Sequence, residues 1–240
     1  PTRFRDTGEH DFAYSIYPHM GGLSAGKGAQ EAYLFNSPFV VFEGESNEKP
    51  VHNVTLDSYY IGETEITQAQ WRAVMGSNPS SYTGDNRPVE CVSWDDAQTF
   101  CKRLSELTGK RYVLPTEAQW EYAARGGNKS KGYTYSGSNS VDEVAKYNSS
   151  GGHANVKSKK PNELGIYDMS GNVWEWCSDW YGSYSSSSQT NPQGPSTGSA
   201  SVVRGGSWYD FASFCRVTLR SHCTPSLTYD GSGFRVVCLP

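Results

Sequence analysis

The chain has 240 residues and a formal net charge of −4, so it lacks the basic surface that binds a phosphate backbone, and nucleic acid is a poor candidate partner. Charged residues make up 19% and aromatic residues 13% of the chain, which argues against a helical bundle and favours a loop-rich fold. No apolar run approaches the roughly 18 residues of a membrane span, so no transmembrane segment is expected.

Short strands and a capped helix are predicted first along the chain. Residues 51–56 alternate between apolar and polar side chains, and residues 59–61 continue as a second short strand. Thr67 is predicted to cap a helix together with Gln70, three residues later, in a reciprocal capping box. This helix is expected to stop at Gly76.

Two further helices are predicted by the same kind of signal. Ser93 is an N-cap, with Asp96 at the third helical position, where a carboxylate also suits the helix dipole. Apolar residues then recur at helical spacing until Gly109. Thr116 caps the third helix, which ends before Gly126.

The second half of the chain carries few periodic signals. Residues 126–165 and 181–201 are rich in Gly, Ser, Asn and Pro and are predicted as long loops, which in compact domains are usually functional or mobile. Residues 233–237 are predicted as a final strand. The absence of a repeat or a boundary favours one irregular domain over residues 1–240.

Six ordered segments carry a family resemblance when they are taken together. They are YYIGETEITQAQW, RPVECVSWDDAQTFCKRL, YVLPTEAQWEYAARGG, GIYDMSGNVWEW, VVRGGSW and GFRVV, within residues 51–237. They resemble the formylglycine-generating enzyme family, also called the sulfatase-modifying-factor family. The resemblance implies an α+β fold of the C-type-lectin-like class, formylglycine-generating-enzyme subtype, with a small twisted antiparallel sheet, two to three helices and much irregular loop. Residues 1–50 diverge from the family's usual opening.

The catalytic pair of that family is incomplete in this sequence. The enzymes of the resembled family oxidise a substrate cysteine with two cysteines that hold copper, a soft ion that prefers thiolates. The resemblance therefore implies two positions in this chain where such cysteines would stand. Asp210 stands at the first of the two positions and Cys215 at the second. One thiol and one carboxylate cannot form a two-thiolate site, so no copper and no oxidase activity are expected. A diverged oxidoreductase that uses Cys215 is the alternative.

Other metal and hydrolase chemistry has little support. The six cysteines are dispersed without a CxxC pair, which disfavours zinc, and no HExxH or GxSxG motif occurs. The resemblance allows a disulfide between Cys101 and Cys238, because family members join a helix-two cysteine to a position two residues before Cys238. Buried free thiols are the other alternative.

The segment 209–232 lies between RGGSW and GFRVV and keeps no helical or strand periodicity. It contains no Lys, Glu, Gln, Met or Trp, although all five occur elsewhere in the chain. This layout resembles the variable proteins of bacterial diversity-generating retroelements, in which template adenines are replaced by any base and AAY codons become NNY. NNY codons never encode those five residues or a stop. The resemblance implies a variable region over residues 202–237.

A variable binding surface needs rigid aromatic anchors and small polar neighbours, and both occur in this segment. Phe211 and Phe214 could instead be core residues of a loop. The predicted ligand-binding residues are Tyr209, Asp210, Phe211, Ser213, Phe214, Leu219, Ser221, His222, Cys223, Ser226, Leu227, Tyr229 and Asp230. The residues assigned to the framework are Trp208, Cys215, Val217 and Arg220.

A calcium site is implied by the block GIYDMSGNVWEW, which corresponds to a calcium loop in the resembled enzymes. Ca²⁺ prefers oxygen ligands, including backbone carbonyls. Carried over by position, the ligands are the side chains of Asp168 and Glu175 and the carbonyls of Gly171 and Val173. The alternative is that Glu175 pairs with an arginine and the loop holds itself.

The sequence therefore predicts a binding protein and not an enzyme. Its C-terminal surface is expected to recognise a macromolecular ligand. The expected ligand is a protein, and its identity is unknown. The resemblance implies a bacterial cell-surface or extracellular location, with a lipid anchor as one means of attachment. A carbohydrate-binding lectin is a third interpretation, but it rests on the fold class alone, which does not fix function.

Overall fold

The computed structural model describes residues 39–40 and 46–240, so most of the divergent segment 1–50 lies outside the described residues. The helices are α1 (Gln68–Met75), α2 (Trp94–Thr108), α3 (Glu117–Ala124) and the single turn α4 (Val141–Val144). The strands are β1 (Phe39–Val40), β2 (Asn53–Thr55), β3 (Tyr60–Ile61), β4 (Arg111–Val113), β5 (Trp174–Trp180), β6 (Gln189–Thr190), β7 (Ser201–Arg204), β8 (Arg220–Cys223), β9 (Ser232–Gly233) and β10 (Val237–Leu239). Short 3₁₀ turns cover Ser46–Glu48, Gly127–Lys129 and Ala212–Cys215.

The three longer helices begin at capping boxes, which confirms the predicted starts. The Thr67 hydroxyl accepts a hydrogen bond from the backbone N–H of Gln70, whose side chain in turn accepts one from the Thr67 N–H. Ser93 with Asp96 and Thr116 with Gln119 repeat this exchange. Helices α1 and α2 end at Gly76 and Gly109, with φ of 85° and 71°, a left-handed conformation that glycine adopts without steric cost.

Three small sheets organise the strands. Their orders are β1-β2-β6, β3-β10-β4 and β8-β7-β5-β9. Most pairs are antiparallel, but β2 pairs with β6, and β5 with β9, in parallel. The sheets are therefore small and mostly antiparallel, as expected, but the described residues form three of them, and two of these are mixed.

The predicted final strand over residues 233–237 is wrong. Gly233 ends β9, which pairs with β5, whereas Val237 begins β10, which lies between β3 and β4 in another sheet. The chain crosses between sheets at Arg235, whose fully buried guanidinium pairs with Glu175. Residues 233–237 look like one strand in the sequence. In the structure, the ion pair of Arg235 lies between the end of β9 and the start of β10.

Both faces of the four-stranded sheet are covered by core. Cys177 and Val202 lie in one hydrophobic cluster with Trp120. Trp176 and Val203, their neighbours along β5 and β7, lie in a second cluster, which also holds Trp71, Phe100 and Phe234. Successive side chains of a strand point to opposite faces, so the two clusters occupy opposite sides of the sheet. They are called the Trp120 face and the Trp176 face below.

Buried arginines join the sheets to α3. Arg204 binds Glu117 at 2.7 Å and Glu121 at 2.8 Å, and Arg220 binds Glu117 at 2.6 Å. Arg220 is 4% exposed, in agreement with its assignment to the framework. Within the described part of the chain, no helix combines the length and apolarity needed to cross a bilayer.

Candidate ligand-binding surface

Exposed large hydrophobic side chains are concentrated near the C-terminus. Among the described residues, those in the segment 209–227 are Tyr209 (42% exposed), Phe211 (67%), Phe214 (40%) and Leu227 (43%). Val51 and Leu107 complete the set and lie far from this segment in the sequence. Tyr209, Phe211 and Phe214 are called the aromatic patch below.

A 3₁₀ turn sorts the side chains of the patch. Over Ala212–Cys215 the turn places Cys215 in the interior, fully buried, and leaves Phe214 exposed. The ring of Phe214 meets Trp174 edge-on at 6.4 Å between ring centroids. Phe211, which precedes the turn, is the most exposed of these side chains. Phe211 and Phe214 are therefore surface residues rather than core residues of the loop.

Gly231 and Tyr229 pack against the ring of Tyr209. An ideal Cβ on Gly231 would lie 2.6 Å from a ring carbon of Tyr209 and 2.9 Å from one of Tyr229, so only glycine fits between the two rings. Tyr229 is partly buried and packs against the Trp176 face, as do Leu219 and Cys223. These three predicted ligand-binding residues support the surface more than they form it.

The backbone beneath the patch is fixed by neighbouring loops. The N–H groups of Asn148 and Ser149 donate to the carbonyls of Asp210 and Trp208, both at 2.8 Å. Trp208 donates its own N–H to the Asn172 carbonyl at 2.8 Å, and its ring meets Tyr82 edge-on at 5.5 Å. Asn148 and Tyr82 were not predicted, because they lie in loops that carry no periodic signal.

Asp210 is a structural acceptor in this surface. Its Oδ2 accepts hydrogen bonds from the Trp174 indole N–H at 2.9 Å, from the Ser207 backbone N–H at 3.0 Å and from the Ser207 hydroxyl. A carboxylate that accepts several such bonds is held in one orientation. We therefore assign Asp210 to the support of the patch, whereas the sequence placed it among the ligand-binding residues.

Cys215 is a buried thiol in this position. It is fully buried, and burial, together with the negative charge of Asp210, raises the pKa of its thiol to about 12. The thiolate is the form that binds copper and attacks substrates. At neutral pH Cys215 is therefore a protonated thiol.

The strand β8 divides the remaining predicted residues between two faces. Ser221 and Cys223 point towards the Trp176 face, on which the aromatic patch also lies. His222 points to the opposite side, where it stacks on Tyr181 at 4.3 Å. His222 therefore does not join the aromatic patch. Ser213 and Ser226 are exposed, and Asp230 is half-buried, with its carbonyl accepting a hydrogen bond from the Trp208 indole.

The residues predicted to bind calcium are arranged differently from a cation site. Both carboxylate oxygens of the fully buried Glu175 accept hydrogen bonds from Arg235 at 2.7 Å, and one also accepts the Trp120 indole N–H. The second predicted carboxylate, Asp168, accepts the Lys157 backbone N–H, and burial raises its pKa to about 6. Glu175 is thus paired with an arginine, which was the alternative interpretation.

Glu175 does not fit a Ca²⁺ ligand as it is placed, since the Arg235 guanidinium already compensates its charge. The backbone N–H groups of Gly171 and Val173 donate to the Gly205 carbonyl and to Glu65, and these hydrogen bonds do not involve the carbonyl oxygens that were predicted as ligands. Within the described residues, no group of three or more His, Cys, Asp or Glu side chains is arranged to hold a metal ion. Calcium binding is untested, and the pairing of Glu175 with Arg235 predicts that the stability of this loop does not depend on the ion.

The cysteines, which all lie in the described range, are free thiols. The Cys101–Cys238 disulfide is therefore not formed. Cys101 is buried on α2, where burial raises its pKa to about 12, and Cys238 lies in β10 opposite Tyr112 of β4. The alternative of free thiols describes this structure.

Comparison with known proteins identifies what the chain resembles. Residues 23–239 match the model of the sulfatase-modifying factor enzyme 1-like domain. The formylglycine-generating enzyme of Streptomyces coelicolor is 39% identical over 71% of this chain and 58% of its own length. A chaperone protein LppX of Paenibacillus barcinonensis is 35% identical over 77% of this chain and 81% of its own.

A solved structure is similar over almost the whole described chain. Treponema denticola variable protein 1 is 33% identical, covers 89% of this chain and 97% of its own, and superposes with a TM-score of 0.81. This match confirms the predicted α+β fold of the C-type-lectin-like class. The chain spans little more than half of the Streptomyces enzyme but nearly all of the variable protein. The match over residues 23–239, together with these identities, places the chain in the sulfatase-modifying factor enzyme 1-like domain family.

Proposed function

We propose that this chain is a ligand-binding protein whose C-terminal surface is diversified by a retroelement, and that it recognises a protein ligand through the aromatic patch and its neighbours. The observation that carries the proposal is the exposure of Tyr209, Phe211, Phe214 and Leu227 within one segment that lacks all five residue types excluded by NNY codons. Similarity to a variable protein over nearly its full length supports it.

The surface has the physical properties of a recognition site. Phenylalanine and tyrosine have few rotatable bonds, so they lose little conformational entropy when a ligand immobilises them. Ser213 and Ser226 are exposed and offer hydrogen bonds that adapt to different partners. The backbone beneath is fixed by the Asp210 and Trp208 hydrogen bonds. A rigid support with exchangeable exposed side chains suits a surface that must accept many sequences.

A catalytic role is the rival hypothesis, because the family includes formylglycine-generating enzymes. That role would require Cys215 to ionise and to find a second soft ligand. Burial keeps the thiol protonated, and the carboxylate of Asp210 is directed to Trp174 and Ser207. These contacts favour binding over oxidation.

Diversification is tested in the genome that encodes the chain. The proposal requires a near-identical copy of the segment for residues 202–237, located beside a reverse transcriptase and differing from it almost only at adenines. A copy that is missing, or mismatches spread evenly over the four bases, would contradict the diversification.

The rival activity is tested with the purified chain. We expect no stoichiometric Cu(I) binding and no oxygen consumption with a cysteine-bearing peptide, and the same result for Cys215→Ser. Peptide oxidation that is lost in Cys215→Ser would overturn the binding assignment. An active formylglycine-generating enzyme serves as the positive control.

The cell-surface location is part of the same proposal. Its test is digestion of intact cells by an added protease, followed by immunoblotting for this chain. Loss of the protein while a cytoplasmic marker survives is the expected result, and protection of both would contradict it.

A further inference from the structure

A cavity of about 330 Å³ lies between the start of α3 and the segment 182–195. Its lining includes Glu117, Ala118 and Glu121 of α3 and Arg220 of β8. Arg220 and the aromatic patch are on opposite faces of the sheet, since β8 directs Arg220 and His222 away from Ser221 and Cys223. The cavity is therefore separate from the proposed recognition surface, and its interpretation does not depend on that proposal.

The charged groups of the cavity are mostly paired with one another. The lining contains the carboxylates of Glu117, Glu121 and Asp179 and the guanidinium of Arg220. Glu117 binds Arg204 and Arg220, and Glu121 binds Arg204 and Arg125. These two carboxylates are therefore compensated by guanidinium groups.

Asp179 is the exception. Its Oδ2 accepts the Glu117 backbone N–H at 2.9 Å and the Ser178 hydroxyl at 3.1 Å, and both donors are neutral. Among the described residues, no cation forms an ion pair with Asp179 and no donor reaches its Oδ1. The side chain is 4% exposed, and burial, together with repulsion from Glu117, raises its pKa to about 7. The positive charge of Arg220 lowers this pKa in part but forms no ion pair with Asp179, so a cation bound at Oδ1 would supply a direct ion pair.

Arg220 cannot serve as an anion site in the same cavity, because its donors are in use. Its Nε and Nη2 donate to Glu117, and its Nη1 donates to the carbonyls of Asn47 and Gly182. The ring of Tyr184 covers the guanidinium at 3.8 Å. An anion would find no free donor on Arg220 and would face three carboxylates.

We propose that this cavity binds a small primary amine, whose ammonium group pairs with Asp179 and whose alkyl part lies among Val54, Ala118 and Tyr184. The ammonium forms the direct ion pair that Asp179 lacks and donates to its open Oδ1. The volume of about 330 Å³ lies at the lower end of the range for small-molecule sites, so an amine with a short alkyl chain fits with space left over. The aromatic ring of Tyr184 and the apolar side chains bury the alkyl part.

The test is an NMR titration of the full chain with three probes of matched size: n-propylammonium, n-propanol and propionate. We expect saturable shifts for backbone amides of Glu117, Asp179 and Tyr184 with n-propylammonium and binding at least ten-fold weaker with the other two. Asp179→Asn is expected to weaken n-propylammonium binding at least ten-fold, whereas Glu143→Gln, at a carboxylate outside the cavity, leaves it unchanged. Equal binding of the alcohol or the carboxylate would overturn the proposal.

A second variant leaves the buried carboxylates untouched. Ser183 is exposed and lines the cavity, so Ser183→Trp fills its mouth, and Ser187→Trp places the same side chain on the exposed loop outside the lining. Loss of n-propylammonium binding in Ser183→Trp and its retention in Ser187→Trp are the expected results. Unchanged binding in Ser183→Trp would place the amine elsewhere and contradict the proposal, even if Asp179→Asn does not fold.

Discussion

Asp210 accepts three hydrogen bonds from Trp174 and Ser207, although it lies in the segment that the sequence assigns to ligand contact. The role of Asp179 also depends on its surroundings. Its carboxylate is buried, and the hydrogen bonds that it accepts come only from neutral donors. At both positions the residue type is visible in the sequence, but its role depends on partners that are distant along the chain. Two predictions test these roles.

Replacing Asp210 should reduce stability without touching the exposed rings. Asp210→Ala leaves the indole N–H of Trp174 and the N–H of Ser207 without their acceptor, and we expect a loss of about 2 kcal/mol in the free energy of unfolding. Urea denaturation measures it. Asp230→Ala, at a half-buried carboxylate of the same segment, is the matched control and should stay within about 0.5 kcal/mol of the parent. Equal losses in both variants would remove Asp210 from its supporting role.

Asp179 should make stability fall as the pH rises. Its pKa is raised from 3.8 to about 7 in the folded chain, so the folded state holds this proton more tightly than the unfolded state. The stabilising contribution is complete below about pH 4 and is lost between pH 4 and 7, at up to about 1.4 kcal/mol per pH unit. Asp179→Asn should therefore gain stability relative to the parent between pH 5 and pH 7.5, as measured by urea denaturation. A difference that is the same at both pH values would contradict the raised pKa.

The elements differ in how far the sequence determines them. Helices α1, α2 and α3 start where predicted, because a capping box joins residues only three positions apart and is therefore written in the local sequence. The final strand was mispredicted because β9 and β10 pair with strands from distant parts of the chain. No local pattern specifies such pairings.

The candidate site follows the same division. The exposure of Phe211 and Phe214 favours the surface interpretation of these rings over the core interpretation, and the sequence had left both open. The orientation of His222 and the engagement of Asp210 could not be predicted, because their partners Tyr181 and Trp174 come from separate segments. The residue types indicated a recognition surface, but the sequence could not show which side chains would be neighbours in the fold.

Around the turn at Ala212–Cys215, substitutions of exposed side chains should change the free energy of unfolding little. Substitutions of buried side chains should lower it. Phe211→Ala removes a ring that is 67% exposed and should cost less than about 0.5 kcal/mol, whereas Val217→Ala, at a buried position of the same segment, should cost about 1–3 kcal/mol. Thermal unfolding of both variants measures the difference. If Phe211→Ala is as destabilising as Val217→Ala, the ring belongs to the core and the aromatic patch loses its most exposed member.

Across the whole molecule, ion pairs from the last part of the chain hold earlier segments in place. Arg204 and Arg220 reach the carboxylates of α3, and Arg235 reaches Glu175 of β5. Each of these arginines is buried. Removing one partner of a buried pair leaves an uncompensated charge, which is strongly destabilising.

Glu175 should therefore stabilise the fold by pairing with Arg235 and not by binding Ca²⁺. Glu175→Gln is expected to lower the free energy of unfolding by about 3–5 kcal/mol, whereas EDTA or millimolar Ca²⁺ should leave the melting temperature of the parent unchanged. Differential scanning calorimetry measures both effects. A melting temperature that rises by several degrees with Ca²⁺ would show that the ion binds, and would make the pairing with Arg235 an incomplete account of this loop.

The position of β10 has a consequence for synthesis. Its three residues lie between β3 and β4, and both of these strands precede it by more than 100 residues in the sequence. While a ribosome is still adding the C-terminal residues, β3 and β4 have no strand between them and Glu175 has no arginine. The sheet β3-β10-β4 and the pairing of Glu175 with Arg235 can therefore close only after residues 235–239 have left the exit tunnel, so the earlier strands remain unpaired until then.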